Sequence, residues 1–301
     1  MNNQNYQLFP DDASGEIDVT LTNDMMFHCV MQRSKEALKH LVCSVKGLSY
    51  EDIEDVILLN PIDYSEFNLK EIILDTRILL RDRSILNIEL QMYPQSYWKK
   101  RSLLYLCRSY DSLEGGDNYD LLKETVQVCI TDQEFFPDQK KEFFSHFQFL
   151  NTKYHYPYST LLSLYVLNLN HTDLATKSDN KRGLVLWAKM FMAKTWEEFH
   201  AIGEQFLAAK EVARVMYAVN INSQEKTYFE AHRKYLETKA TDEYEMARLK
   251  QEVADKDQAL ADRDQALADK DQALADKDQT IADMNRRIVE LESMLRKQDD
   301  Q

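Results

Sequence analysis

Glycine and proline are scarce in this chain, six and five among 301 residues. So few breakers argue against a loop-rich fold and for long regular elements. Cysteine is scarce too. Cys29, Cys43, Cys107 and Cys129 form no CxxC pair and no Cys/His cluster, which removes the usual zinc patterns and any disulfide framework. They read as buried thiols of a reducing compartment. No apolar run approaches the ~20 residues needed to span a bilayer. The opening MNNQNYQLFPDDASGE has no basic stretch followed by an apolar one. The expectation is a cytoplasmic chain with no membrane partner.

Positive charge is also in deficit, with 37 Lys and Arg against 51 Asp and Glu and a net charge of −14. That counts against a general nucleic-acid binder, because phosphate affinity comes mostly from Lys and Arg. The deficit is unevenly spread: residues 241–301 hold 17 acidic and 10 basic side chains, so this short segment carries −7 of the total. The body is only mildly acidic, and carboxylates that hold a metal ion add to its count while being offset by the ion. Net charge therefore does not exclude DNA, and local patches decide.

What is abundant is apolar residue in ordered patterns. At 44% hydrophobic content the chain can bury a sizeable core. TLTNDMMFHCVMQRSKEALKHLVCSV reads as one amphipathic helix with Thr22 or Asn23 as its N-cap. The runs DIEDVILLNP and EIILDTRILL read as strands, and RDRS as a turn into the alternating strand ILNIELQM. Residues 96–114 carry a helical pattern that Gly115-Gly116 would stop. TVQVCITD reads as a further strand, SLYVLNLN as another, and residues 181–237 as helical, with Trp187, Trp196, Phe199 and Phe206 as core contacts. The order helix, three strands, helix, strand describes an α/β sandwich with an antiparallel hairpin.

Chemistry concentrates on that hairpin. On ILNIELQM, Leu86, Ile88, Leu90 and Met92 face one way and Asn87, Glu89 and Gln91 the other. The preceding apolar strand carries one carboxylate, Asp75. Half-buried carboxylates are costly unless paired or bound to metal, so Asp75 and Glu89 form a candidate metal site; a solvent-facing polar edge is the competing reading. Two oxygen donors with a carbonyl and waters suit Mg²⁺. The two carboxylates can share an ion only if the hairpin loop has an odd number of residues or a bulge of equal effect. A symmetric four-residue RDRS loop would turn Glu89 away.

The stretch LDTRILLRDRSILNIELQMYPQSYWKKRSLLYLCRSYDSLEGGDNYDLLKETVQVCITD closely resembles the PD-(D/E)XK family transposases, or recombination-promoting nucleases. The likeness rests on Asp75, Asn87-Ile88-Glu89-Leu90-Gln91, Arg101 with Tyr105 and Tyr110, and Gly116 with Tyr119. It extends to the opening TNDMMFHCVM and more loosely to about residue 245. The resemblance implies a PD-(D/E)XK restriction-endonuclease-like core and a metal-dependent DNA endonuclease, acting in recombination or mobile DNA. It makes Asp75 and Glu89 the metal ligands for Mg²⁺, with Mn²⁺ as the alternative ion. Gln91 would stand where the superfamily has Lys, a place for which Gln lacks the charge. Asp24 is an additional candidate carboxylate, its other role being to complement the dipole of the first helix. A catalytically inactive protein of this fold that binds DNA or oligomerises is the competing outcome.

Just beyond Gln91, WKKRSLLYLCRSY interleaves Trp98, Lys99, Lys100, Arg101, Tyr105 and Arg108. Arg101, Tyr105 and Arg108 share a helix face, and with Lys99 and Lys100 they are the expected DNA contacts. At the other end, Val253, Leu260, Leu267, Leu274, Ile281, Ile288 and Leu295 recur every seven residues, the period of a left-handed coiled coil. Salt bridges are too few along the repeat to sustain an isolated helix, so a partner helix, and hence a homo-oligomer, is expected. Arg263 and Lys270 at seam positions weaken the first half. The expected organisation is a polar tail at 1–20, a nuclease-like domain with a helical extension at 21–245 and a coiled coil at 246–301.

Overall fold

The computed structural model describes residues 9–60, 76–94, 97–111, 113 and 115–299. The chain divides into two units, Met1–Thr241 and Asp242–Gln301. In the first unit the strands β1 (Val56–Leu58), β2 (Thr76–Leu80), β3 (Ile85–Gln91), β4 (Thr125–Thr131), β5 (Phe144–Gln148) and β6 (Leu162–Asn168) form one sheet in the order β1-β2-β3-β4-β6-β5. The β3–β4 and β4–β6 pairs are parallel and the other three are antiparallel. The expected helix, three strands, helix, strand order is present, and the fold is mixed α/β.

The first helical stretch is two helices, α1 (Asp24–Arg33) and α2 (Lys35–Lys46), where the sequence suggested one. Ser34 makes the break. Its backbone is extended, its N–H still closes α1 on Val30 O, and its hydroxyl accepts from Ala37 N at 3.1 Å to start α2. A serine that can satisfy an orphan N–H competes well with helix continuation. Asn23 caps α1 by accepting from Met26 N. Met25 to Met31 are all buried, so α1 is a core helix rather than an amphipathic surface one. At the end of α2, Gly47 has φ +69°, and the Arg182 guanidinium lies 2.8 Å from where a Cβ would stand, so any other residue would be both strained and crowded.

The β2–β3 hairpin turns on three residues, Arg81, Asp82 and Arg83, rather than on four. Leu80 N donates to Ser84 O at 3.0 Å, Arg83 N donates to Leu80 O at 2.9 Å, and Arg83 takes φ +68°. Asp82 fixes the turn by accepting from the Ser84 N–H and hydroxyl at 2.9 and 2.6 Å. Three-residue hairpin loops need one left-handed residue, and with no glycine here Arg83 takes that conformation. The loop is odd, and the ladder runs Thr76 with Ile88, Arg77 with Asn87, Ile78 with Leu86 and Leu79 with Ile85.

One face of the sheet is apolar. Ile78, Leu86, Ile88, Val126, Val128 and Ile130 pack with α1, α2 and the later helices α5 (Leu184–Met192), α6 (Trp196–Gly203) and α7 (Leu207–Ile221), which follow the short α4 (Lys177–Lys181). Trp187, Trp196 and Phe199 are buried there and Phe206 partly so. The opposite face is covered by α3 (Trp98–Tyr110), whose Trp98 and Leu106 join Cys129, Leu164 and Val166 in a second, small core. α3 ends at Tyr110, capped at Asp111 and before the Gly115-Gly116 expected to stop it. Cys29, Cys43 and Cys129 are buried, but Cys107 is exposed on α3, because helix periodicity turns it away from the sheet. β5 went unread in the sequence: as an edge strand it has no alternating burial.

The opening of the chain is not free polar tail throughout. Ile17 and Val19 are buried, Ile17 N donates to Lys194 O at 2.8 Å, and Phe9 stacks on His200 with ring centroids 4.5 Å apart. Among the described residues no helix is long and apolar enough to cross a membrane. The last helix, α8, runs from Ser223 to Asp299. In the second unit Val253, Leu260, Leu267, Leu274, Ile281 and Ile288 are all about half-exposed or more. The local support of α8 comes from amide–carboxylate bonds along one face of the helix. Gln251, Gln258, Gln265, Gln272 and Gln279 each donate to the Asp four residues on, at 2.8 to 3.3 Å. Such pairs stabilise a lone helix by about 0.2–0.5 kcal/mol each.

Candidate active site

The sheet face under α3 carries a polar row on an otherwise apolar frame. β3 presents Asn87, Glu89 and Gln91, and the parallel pairing with β4 sets beside them Gln127, Cys129 and Thr131. All six are buried. Burial follows from position: β3 and β4 are interior strands and α3 lies over this face. Asn87 Nδ2 donates to Gln127 Oε1 at 2.8 Å, and Thr131 Oγ1 donates to Gln91 O at 2.7 Å. The Asn87–Gln127 amide pair was not foreseen in the sequence, since nothing in it gives the β3–β4 register.

Glu89 is only 3% exposed. A carboxylate so placed needs a counter-charge, and Arg101, one turn into α3, provides it by ion-pairing with Glu89 Oε1. The same guanidinium donates to Gln91 Oε1 at 2.7 Å, and Gln91 Nε2 donates in turn to Tyr93 O. Gln91 is thus held at both ends of its amide. Asn87 Oδ1 and Gln127 Nε2 are buried with no hydrogen-bond partner, and two more such atoms belong to the ion pair itself, Glu89 Oε2 and Arg101 Nε. One is an acceptor and the other a donor, and each is expensive to leave unmatched. An orphaned carboxylate oxygen beside an amide oxygen is a donor set that fits a hard divalent cation.

The residues expected to act together are not all in one place. The Arg101 side chain turns inward to Glu89, apart from Lys99 and Lys100, which remain exposed. Tyr105 is half-buried beneath it, with the guanidinium carbon 5.8 Å from the ring centroid, and Arg108 is exposed further along α3. Asp24 opens α1 and lies close enough to Tyr93 that its charge raises the phenol pKa. Burial is the larger cause of that rise, and Glu237 adds to it. Tyr93, missed in the sequence, lines a cleft with Thr22, Asp132, Arg233 and Glu237 just beyond the end of β3. Asp75 lies outside the described residues. Among the described residues, no group of three His, Cys, Asp or Glu side chains is placed to hold a metal ion.

The family model for the PD-(D/E)XK nuclease family transposases matches residues 21–277. No curated protein and no solved structure gives a significant match.

Proposed function

Because this chain belongs to the PD-(D/E)XK nuclease family transposases, we propose that it is a divalent-metal-dependent DNA endonuclease whose ion is held by Asp75 and Glu89. PD-(D/E)XK nucleases generally use divalent metals; we assign Mg²⁺, with Mn²⁺ as the substitute, and recombination or mobile DNA as the setting. The observation that carries the reading is Glu89, a buried carboxylate with one oxygen unmatched. The hairpin adds support. Its three-residue loop has the parity that Asp75 and Glu89 need to share a face.

A bound divalent ion would supply a water of lowered pKa and offset charge on a phosphate oxygen. The chain's own groups do the rest. Gln91 is neutral and engaged by Arg101 and by Tyr93 O, so it cannot provide the cation that Lys gives elsewhere in the superfamily. Arg101 brings a permanent positive charge to that place from α3. Its unmatched Nε–H is a donor for a phosphate oxygen, and releasing Glu89 to the ion would free more of the fork. Asp24, near the end of β3, serves as an accessory carboxylate. Lys99, Lys100 and Arg108 are exposed cations on α3 that meet the DNA backbone outside the site, with Tyr105 supporting Arg101.

A second reading has its own observation. Arg101 already neutralises Glu89, an arrangement a non-cutting DNA-binding protein of this fold would also show. Plasmid nicking by purified protein separates the two. Cleavage should require Mg²⁺ and should fall by more than about a hundredfold in Asp75→Ala and in Glu89→Ala, since even outer-shell changes at metal sites cost about 10–100-fold. Wild-type rates in either variant, with EDTA still inhibiting, would move the site elsewhere. No cutting under any metal would favour the second reading. We further propose that the heptad helix joins copies of the chain as a weak coiled coil, firmest from Ile281 to Leu295.

A further inference from the structure

Beyond Glu142, the chain has no acidic residue until Asp173, a 30-residue interval in a protein with 51 of them. The same interval is crowded with aromatics, and several face solvent. Phe149 is 55% exposed, Tyr154 67%, Tyr156 57% and Tyr158 88%. They sit on a hairpin that continues β5 and is held by its own polar groups. Asn151 Oδ1 accepts from Lys153 N and Tyr154 N at 3.0 and 2.9 Å, and Asn151 N donates to Tyr156 O at 2.8 Å. Tyr158 lies across from Phe149, its N–H donating to Phe149 O at 2.8 Å, and His155 at the tip takes φ +56°. A loop so braced presents its rings at little further cost in order.

The hairpin borders an open groove of about 320 Å³ between α3 and β5, walled by Phe136, Phe147, Phe149, Leu103 and Leu162. Among the described residues Lys99 is the one charged residue lining it, its Nζ 4.6 Å from the Phe136 ring centroid. Lys153 repeats the pattern 5.0 Å over Tyr154. The register relates the groove to the candidate active site. Glu89 pairs with Cys129, Cys129 with Val166, and Val166 with Ser145, so Phe147, two residues on from Ser145, points from the same sheet face as Glu89. At ~4.8 Å per strand, β5 is ~14 Å from β3.

We propose that this groove and the Phe149–Tyr158 hairpin form a single-strand binding surface that takes unpaired bases of the DNA beside the site of cutting. Flat, exposed rings of Phe and Tyr stack on bases without regard to sequence, and only unpaired bases offer them a face. Duplex binding depends instead on many cations along the phosphates, and among the described residues the groove has one. The absence of carboxylates from residues 143–172 limits repulsion of a passing backbone, and Lys99 and Lys153 offer it cations beside the rings. The inference rests on the nuclease reading and narrows its substrate to DNA with an unpaired stretch, such as a tailed or opened duplex.

Binding measured by fluorescence anisotropy in EDTA, where nothing is cut, tests it with labelled oligothymidine, a blunt duplex and a duplex carrying a single-stranded tail. The wild-type chain should prefer the single strand and the tailed duplex to the blunt one. Phe149→Ala with Tyr158→Ala should weaken single-strand binding by about tenfold or more and leave blunt-duplex binding unchanged, given the stacking contribution of each ring. Tyr158→Phe should retain the affinity, because the ring remains. Both side chains are exposed, and circular dichroism and thermal melting establish that the double variant is folded. Equal affinity of wild type and double variant, or no preference of the wild type for single strands, overturns the proposal. So does a double variant that binds DNA normally but loses self-association by sedimentation, which would make the surface a contact between copies. Plasmid cleavage run in parallel separates the two ideas: cutting without single-strand preference overturns this one alone, and single-strand preference without cutting overturns the nuclease reading alone.

Discussion

The two units of this protein are both ordered, but for opposite reasons. In the first, Met25, Leu41, Trp187 and Val212 are wholly buried, and order comes from contacts between residues far apart in sequence. In the second, Leu260 is 57% exposed, and the regular side-chain bonds join residues four apart on one helix. Burial of a large aliphatic side chain contributes about 1.5–3 kcal/mol, whereas a helix-surface pair contributes about 0.2–0.5 kcal/mol. Polar groups follow the same division. The Gln–Asp pairs of the tail are local and replaceable, while the buried Glu89 and the half-buried Arg101 depend on each other.

The sharpest way to break the comparison is at Arg101. Arg101→Ala leaves the Glu89 carboxylate buried without a counter-charge, a change that costs about 3–5 kcal/mol. Urea unfolding should register that loss, and Glu89→Gln in the same chain should recover much of it. An Arg101→Ala protein as stable as wild type would mean that the pair does not hold α3 to the sheet.

A second test uses acid. His28 is buried in α1, with Nε2 3.1 Å from Asn60 O. Burial brings its pKa from the usual 6.5 down to about 4, with the Asn60 carbonyl resisting the fall. The folded-state value is depressed, so below pH 6.5 the unfolded chain takes up the proton first. Stability is complete above that pH and is lost as pH falls toward 4, by about 3 kcal/mol from this group. His28→Gln, which keeps a donor, should flatten the slope of unfolding free energy between pH 6.5 and 4 relative to wild type. His40, His146 and His232 are shifted the same way by burial, so only the difference between variant and wild type isolates His28. An unchanged slope would show that His28 is charged in the folded protein.

The smallest effects belong to the tail. Truncation after Lys250 should lower the oligomer mass by sedimentation while leaving nicking and the unfolding free energy of the remainder within about 0.5 kcal/mol. A single Gln265→Ala should lower tail helicity by an amount equivalent to about 0.2–0.5 kcal/mol. A truncated chain that sedimented as the full-length one does would remove the coiled-coil proposal.

Some elements were legible because their cause is local. The period-two pattern of residues 85–92 announced β3 and put Asn87, Glu89 and Gln91 on one face, as the structure has them. Asn23 capped α1 as its residue type allows. Other features needed a partner the sequence does not name. Ser34 carries a capping hydroxyl, yet whether it breaks the helix depends on the core that Met25 to Met31 enter. β5 has a mixed aromatic sequence and becomes a strand only because β6 offers it an edge.

The sequence by itself determined the alternating face of β3, the heptad spacing of the tail and the loop parity that a shared ion on Asp75 and Glu89 would require, since each follows from the geometry of neighbouring residues along one chain. The tertiary structure alone decided that Arg101 turns from the expected DNA face toward Glu89 and Gln91. Helix periodicity allowed either direction, and the choice was made by a carboxylate buried beneath α3, whose charge had to be met by the nearest guanidinium.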